Sequence, residues 1–111
     1  MSLKQPFAQV WWSDFNSLPQ ALKAGTRSVI GIADNVGGLD WELLHPGRYV
    51  PRIILPHDEN KPLEDGYFDA LLSAAKLLYE ANWCPITVFC WAGRHRSPAV
   101  CATVQAYLFD E

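Results

Sequence analysis

This chain of 111 residues lacks several things, and each absence excludes a class of protein. No apolar run approaches the roughly 20 residues that a membrane-spanning helix needs. No positively charged, cleavable leader is visible at its start, so the expectation is a protein without a membrane span. Cysteine is scarce: there are three, an odd number at uneven spacing, which argues against a disulfide framework and fits a reducing cytoplasm. Charge of one sign is also missing. Nine Lys and Arg against twelve Asp and Glu leave a net charge of −3, which gives no reason to expect a nucleic-acid or membrane surface. His45, His57 and the acids near them do not fall at metal-ligand spacing, so neither a metal nor another cofactor is expected. There is no internal repeat, low-complexity segment or linker, and residues 1–111 read as one domain.

What is present is an alternation of short apolar runs with helical patterns. Residues 8–12 are apolar or small and suit an edge strand. Ser17 with Pro19 marks a helix start, and Gly25 is a suitable left-handed stop. Residues 27–33, rich in β-branched side chains, predict a buried strand; residues 34–38 read as a turn and 39–51 as a loop with a short helical turn. A further strand is predicted over 52–55. Over 63–82, Phe68, Leu71, Leu72, Ala75, Leu78 and Tyr79 recur at spacings of three and four, the mark of an amphipathic helix. Residues 86–89 have the short apolar form of a central strand. From Pro98 onward the chain is apolar almost all round, which predicts a buried helix packed through Ala99, Ala102 and Ala106. Strands alternating with helices imply an α/β layered domain: a mostly parallel central sheet flanked by helices.

One segment carries chemistry. Cys90 and Arg96 are separated by five residues, Trp91, Ala92, Gly93, Arg94 and His95, between the predicted central strand and the last helix. Five residues can curl so that successive N–H groups converge on one point, to which the following helix adds its positive end. A cysteine at the base of that cradle is stabilised as thiolate, the nucleophilic form. An arginine at its end offers a planar fork of donors to two phosphate oxygens. The residues therefore predict an anion-binding loop, Trp91 to Arg96, with a nucleophile beneath it. Arg94, His95 and Arg96 make a local positive spot in an acidic chain, which suits a small anionic target.

This arrangement resembles the active-site signature of the protein tyrosine phosphatase superfamily: His-Cys, five residues, Arg, then Ser or Thr. Ala92-Gly93 and Arg96-Ser97-Pro98 are most similar to the dual-specificity phosphatases. In motifs the resemblance runs over about residues 53–109. The resemblance implies a cysteine-dependent phosphatase acting on phosphomonoesters, in a phosphorylated protein or another phosphorylated substrate. It implies Cys90 as nucleophile, Arg96 as oxyanion clamp and Ser97 as donor to the departing sulfur. It further implies a general acid on an upstream loop, and Asp58, 32 positions before Cys90, is the match. Glu59, Glu64 and Asp65 stand nearby as rivals. Cys84 and Cys101 have no part in the signature and read as packing residues.

The chain departs from the pattern twice. Phe89 stands where the family has histidine; that histidine helps to fix the loop and keep the thiol ionised, so weak activity or a need for higher pH is expected. The sequence also ends soon after its last helix, where most relatives continue with further helices. Something else must then cover that side of the sheet, and a second copy, forming a homo-oligomer, would do so. Two other readings compete: a phosphate-binding module with little turnover, kept alive by Phe89, and a rhodanese-like sulfurtransferase, which would have no use for Asp58.

Overall fold

The computed structural model describes residues 3–32, 50–57, 62, 64–90 and 97–109. Within them the chain forms β1 (Val10–Asp14), a 3-10 turn (Phe15–Ser17), α1 (Leu18–Ala24), β2 (Ser28–Ile32), β3 (Arg52–Leu55), α2 (Asp65–Glu80), β4 (Ile86–Cys90) and α3 (Ser97–Phe109). The four strands make one sheet in the order β1-β4-β2-β3, and each pairing between them is parallel. The layered α/β architecture with a central parallel sheet is thus the observed one.

Position in the sheet follows from residue chemistry. The two inner strands, β2 and β4, are buried at every position, as strands covered on both faces must be. Alternation then divides their side chains. Ile30, Ile32, Ile86, Val88 and Cys90 join Val10 in a core with Leu71, Ala74, Ala75 and Leu78 of α2 and Val100, Cys101 and Val104 of α3. Val29 and Phe89 point the other way and pack with Leu18 and Ala21 of α1. Two helices therefore cover one face and α1 covers the opposite one.

β1 is an edge strand as expected, but it runs from Val10 to Asp14, two residues later than the apolar composition of 8–12 suggested. Pairing decides its position, because Val10 aligns with Ile86 and Asp14 with Cys90. Its outer edge is partly closed by an antiparallel bridge, in which the backbones of Lys4 and Trp12 exchange hydrogen bonds of 2.8 and 3.0 Å. Ser17 does occupy the residue before α1, with Pro19 in the first turn, but its side chain makes no capping bond. Asp14 supplies the cap one turn earlier, accepting the Ser17 N–H at 2.7 Å and starting the 3-10 turn. Gly25 ends α1 at φ 103°, a left-handed conformation that favours glycine.

The helices bring two corrections. In α2 the buried row is Leu71, Ala74, Ala75 and Leu78, while Tyr79 is 43% exposed and sets its ring edge-on to Phe109 at 5.3 Å. In α3 the alanines do not pack inward. Val100, Cys101 and Val104 form the buried face, while Ala99, Ala102 and Ala106 face outward. A helix that is apolar all round has no stripe to choose its inner face; here Val100, Cys101 and Val104 fill the core, and the alanines and Tyr107 are left outside.

At the amino-terminal end of the sheet, buried hydroxyls tie the strand starts together. Thr87 donates to the Thr26 hydroxyl at 2.7 Å, and Thr26 lies 2.9 and 3.0 Å from the carbonyls of Ser28 and Pro85. Ser28 donates to the Trp83 carbonyl at 2.7 Å, and Arg27 stacks over the Trp83 ring at 5.4 Å. Each of these bonds meets the need of a buried polar group for a partner.

Candidate active site

β4 delivers Cys90 to the carboxyl end of an inner strand, the end at which open α/β sheets bind ligands. The parallel register sets Asp14 of β1 on one side of Cys90 and Ile32 of β2 on the other; Leu55 of β3 follows next to Ile32. These four residues form a row along the sheet's upper edge. Cys90 is 2% exposed, on the face covered by α2 and α3. Seven residues later α3 begins at Ser97, so the strand and the helix expected to flank the loop are both present. α3 is seated by its buried valines and by Cys101, whose thiol donates to the Val10 carbonyl at 3.5 Å. Burial pushes the Cys101 thiol up to about 12, and it raises that of Cys84 against the lowering influence of Arg27. Both behave as packing residues.

Trp91, Ala92, Gly93, Arg94, His95 and Arg96 lie outside the described residues, as does the side chain of Ser97. The same holds for Asp58 and Glu59, and for residues 33–49, which include His45 and the expected turn and loop. The structure therefore fixes the two flanks of the candidate loop and the approach to the candidate acid. That approach is well defined: β3 ends at Leu55, and Pro56 and His57 follow. Tyr67, in the first turn of α2, donates to the Leu55 carbonyl at 2.6 Å and meets the His57 ring edge-on at 4.9 Å. Among the described residues no group of three or more His, Cys, Asp or Glu could hold a metal ion.

Phe89, the residue that replaces the family's histidine, is fully buried on the face opposite Cys90. Its ring lies against Gly31, the paired residue of β2, so closely that a Cβ at Gly31 would fall 2.6 Å from Phe89 Cζ and 2.7 Å from Ile54 Cδ1. Phe15 closes the far side, with ring centroids 6.0 Å apart. The end of β4 thus rests, through Phe89, on a hydrocarbon socket.

Sequence reasoning passed over three of these residues: Asp14, Gly31 and Tyr67. Asp14 had a usable signal, a capping side chain three residues before Ser17 at the mouth of a helix. Gly31 and Tyr67 had none, since each acts through a partner distant in sequence.

No protein-family model matches the chain, and no curated protein matches it in sequence. Solved structures do resemble it. OH1 from the Orf virus, a tyrosine phosphatase that displays distinct structural features and triple substrate specificity, superimposes with a TM-score of 0.63 and 18% identity, over 94% of this chain and 58% of that one. Tk-PTP in its active form gives a TM-score of 0.66 with 16% identity, over 98% of this chain and 75% of its own. TpbA from P. aeruginosa gives 0.58 with 14% identity, over 95% and 63%. This chain has the fold of the tyrosine phosphatases, of the compact, dual-specificity-like form. It spans less than two thirds of the length of OH1 and of TpbA. Among the described residues no helix is long and apolar enough to cross a membrane.

Proposed function

We propose that the protein is a cysteine-dependent phosphatase of dual-specificity type, hydrolysing phosphomonoesters in a phosphorylated protein or a small phosphorylated substrate. The observation that carries the reading is Cys90 at the carboxyl end of an inner parallel strand, seven residues ahead of a helix that starts at Ser97. In this reading the Cys90 thiolate attacks phosphorus, forming an S–P bond as the P–O bond to the leaving group breaks. Asp58 gives its proton to that departing oxygen. Water then attacks phosphorus, Asp58 takes its proton, the S–P bond breaks and inorganic phosphate leaves. Arg96 and the backbone N–H groups of residues 91–96 hold the phosphoryl oxygens through both steps. Ser97 donates to the sulfur as it departs. The phosphate cradle supplies its positive charge from arginine and the helix end. In this reading the protein works in a reducing compartment, the cytoplasm, where a thiolate nucleophile survives.

A phosphate-binding module with little turnover is the second reading, and Phe89 is the observation that favours it. Its ring lies in an apolar socket and has no donor to offer the loop above. Hydrolysis of para-nitrophenyl phosphate across a pH series separates the two. The phosphatase reading expects turnover that rises with pH, is blocked by vanadate and drops by about a thousandfold or more in Cys90→Ser. Binding of phosphate by the intact protein without turnover would establish the module instead.

A further inference from the structure

All four strands meet in the row just before Cys90, where Ser13, Phe89, Gly31 and Ile54 lie in register across the sheet. The Phe89 ring does not stand upright in this row. It leans over β2 into the space that a side chain at Gly31 would fill, with Cζ and Cε1 2.6 and 2.9 Å from that Cβ position. Ile54 leans in from β3, its Cδ1 2.7 Å from the same point. Phe15, in the turn after β1, sets its ring at 59° to that of Phe89 with centroids 6.0 Å apart. Leu18 and Ala21 of α1 complete the socket. A fully buried ring is thus held by groups from β2, β3, α1 and the turn that leaves β1.

The lock reaches Cys90 through the backbone. Residues 89 and 90 share one planar peptide, and their side chains leave the strand on opposite faces. A ring that cannot swing fixes the direction in which the Cys90 side chain leaves the sheet, toward α2 and α3. We propose that Phe89, seated over Gly31 by Ile54 and Phe15, is a positioning residue that aims the Cys90 nucleophile from beneath by packing alone. The proposal rests on the phosphatase reading and deepens it. Phe89 has no hydrogen bond to offer, so shape does the aiming. None of the four touches substrate or reacting atoms; they act through the strand. A misplacement of about 1 Å at a nucleophile costs rate far more than affinity, so the effect belongs in kcat.

Turnover of para-nitrophenyl phosphate, counted per folded molecule, tests the role. Gly31→Ala puts a methyl group where the ring lies and must displace it. It should lower kcat about tenfold or more while KM stays within about twofold. Phe89→Leu should also lower kcat, because the shorter side chain leaves the space over Gly31 unfilled. Joined, the two changes compensate: the new methyl fills what the ring has left, and most of kcat should return. Thr26→Val, at the other end of the sheet, is the control and should leave kcat unchanged. Phe89→His places ring nitrogens among hydrocarbon and should lower kcat. A folded Gly31→Ala with unchanged kcat, or a double variant no faster than either single one, would overturn the proposal. So would an equal loss of kcat in Thr26→Val, or a Phe89→His variant faster than the intact protein. If Gly31→Ala does not fold, Phe15→Leu carries the comparison, with an expected loss of about threefold or more. Absence of turnover by the intact protein would refute the phosphatase reading, and the positioning role with it. Turnover that is indifferent to the socket would sink the positioning role alone.

Discussion

At the amino-terminal end of the sheet the polar side chains are spent on one another. Thr87, Thr26 and Ser28 pass hydrogen bonds to carbonyls of the segment that enters β4, so the strand starts are satisfied internally. At the carboxyl-terminal end, the row Asp14, Cys90, Ile32 and Leu55 shows no such ladder of hydroxyls among the described residues. Asp14 serves the turn that follows it, and Tyr67 serves the carbonyl of Leu55. The starts of β2 and β4 are finished by their own neighbours, and their other ends lead into the segments that follow. The difference suits the phosphatase proposal, in which rigidity is built below Cys90 and the chemistry belongs to the segments that follow the strands.

The comparison breaks first at Phe89, where the largest effect is expected. Its ring fills the space over Gly31 between Phe15 and Ile54, directly beneath the last residue of β4. Phe89→Ala should cost about 3–5 kcal/mol in a urea titration, the range for emptying an aromatic site in a packed core. Gly31→Ala approaches the same socket from the other side. Its new methyl group would meet ring carbon and Ile54 at distances below 3 Å, so it should cost about 1–3 kcal/mol through overpacking. Combining Gly31→Ala with Phe89→Leu should cost less than the two separate losses together, because the smaller side chain makes room. Strict additivity would mean that the two residues do not share a socket.

At the opposite end, Thr26→Val tests whether the hydroxyl network is structural only. The substitution keeps shape but leaves the Thr87 hydroxyl without its acceptor inside the core. The expected cost is about 1–3 kcal/mol, with turnover per folded molecule unchanged. A loss of kcat in fully folded Thr26→Val would mean that the two ends are coupled along β2 and β4, against the division drawn above.

The sequence showed these two ends unequally. Strand β3, the left-handed stop at Gly25 and the strand–loop–helix frame around Cys90 were legible because each depends on a few adjacent residues: a Pro, a Gly, a short β-branched run. The register of β1 was not legible, since Val10 to Asp14 are fixed by pairing with a strand from the far end of the chain. Period-two alternation does imply that Phe89 and Cys90 face opposite sides, but nothing local says that Phe89 settles on a glycine. The outward alanines of α3 were misread for a related reason: composition shows that a helix is apolar but not which side meets the sheet. Of the candidate site, the position of Cys90 and the start of the following helix were legible. Asp14 and the contact between the His57 and Tyr67 rings needed coordinates.

The smallest effect concerns pH, and it sharpens the comparison by separating two cysteines in one core. Cys101 is buried on the inner face of α3, with its thiol raised to about 12 from an ordinary value of 9.0. Below pH 9 the thiol is protonated both folded and unfolded, so it contributes no pH dependence. Above that value the unfolded chain loses its proton while the folded chain keeps it, which favours unfolding. Stability should therefore fall as pH rises from about 9 toward about 12. Cys84, raised in the same direction, adds to the slope. Urea midpoints at pH 8 and pH 10.5 measure it, and Cys101→Ala should reduce the difference between them. An iodoacetamide titration of the folded protein gives the complementary result: Cys101 should stay unmodified at pH 8. The phosphatase reading expects Cys90 to react at that pH, and reaction there should be blocked by phosphate. Equal protection of Cys90 and Cys101, indifferent to phosphate, would make both packing residues and remove the asymmetry between the two ends of β4.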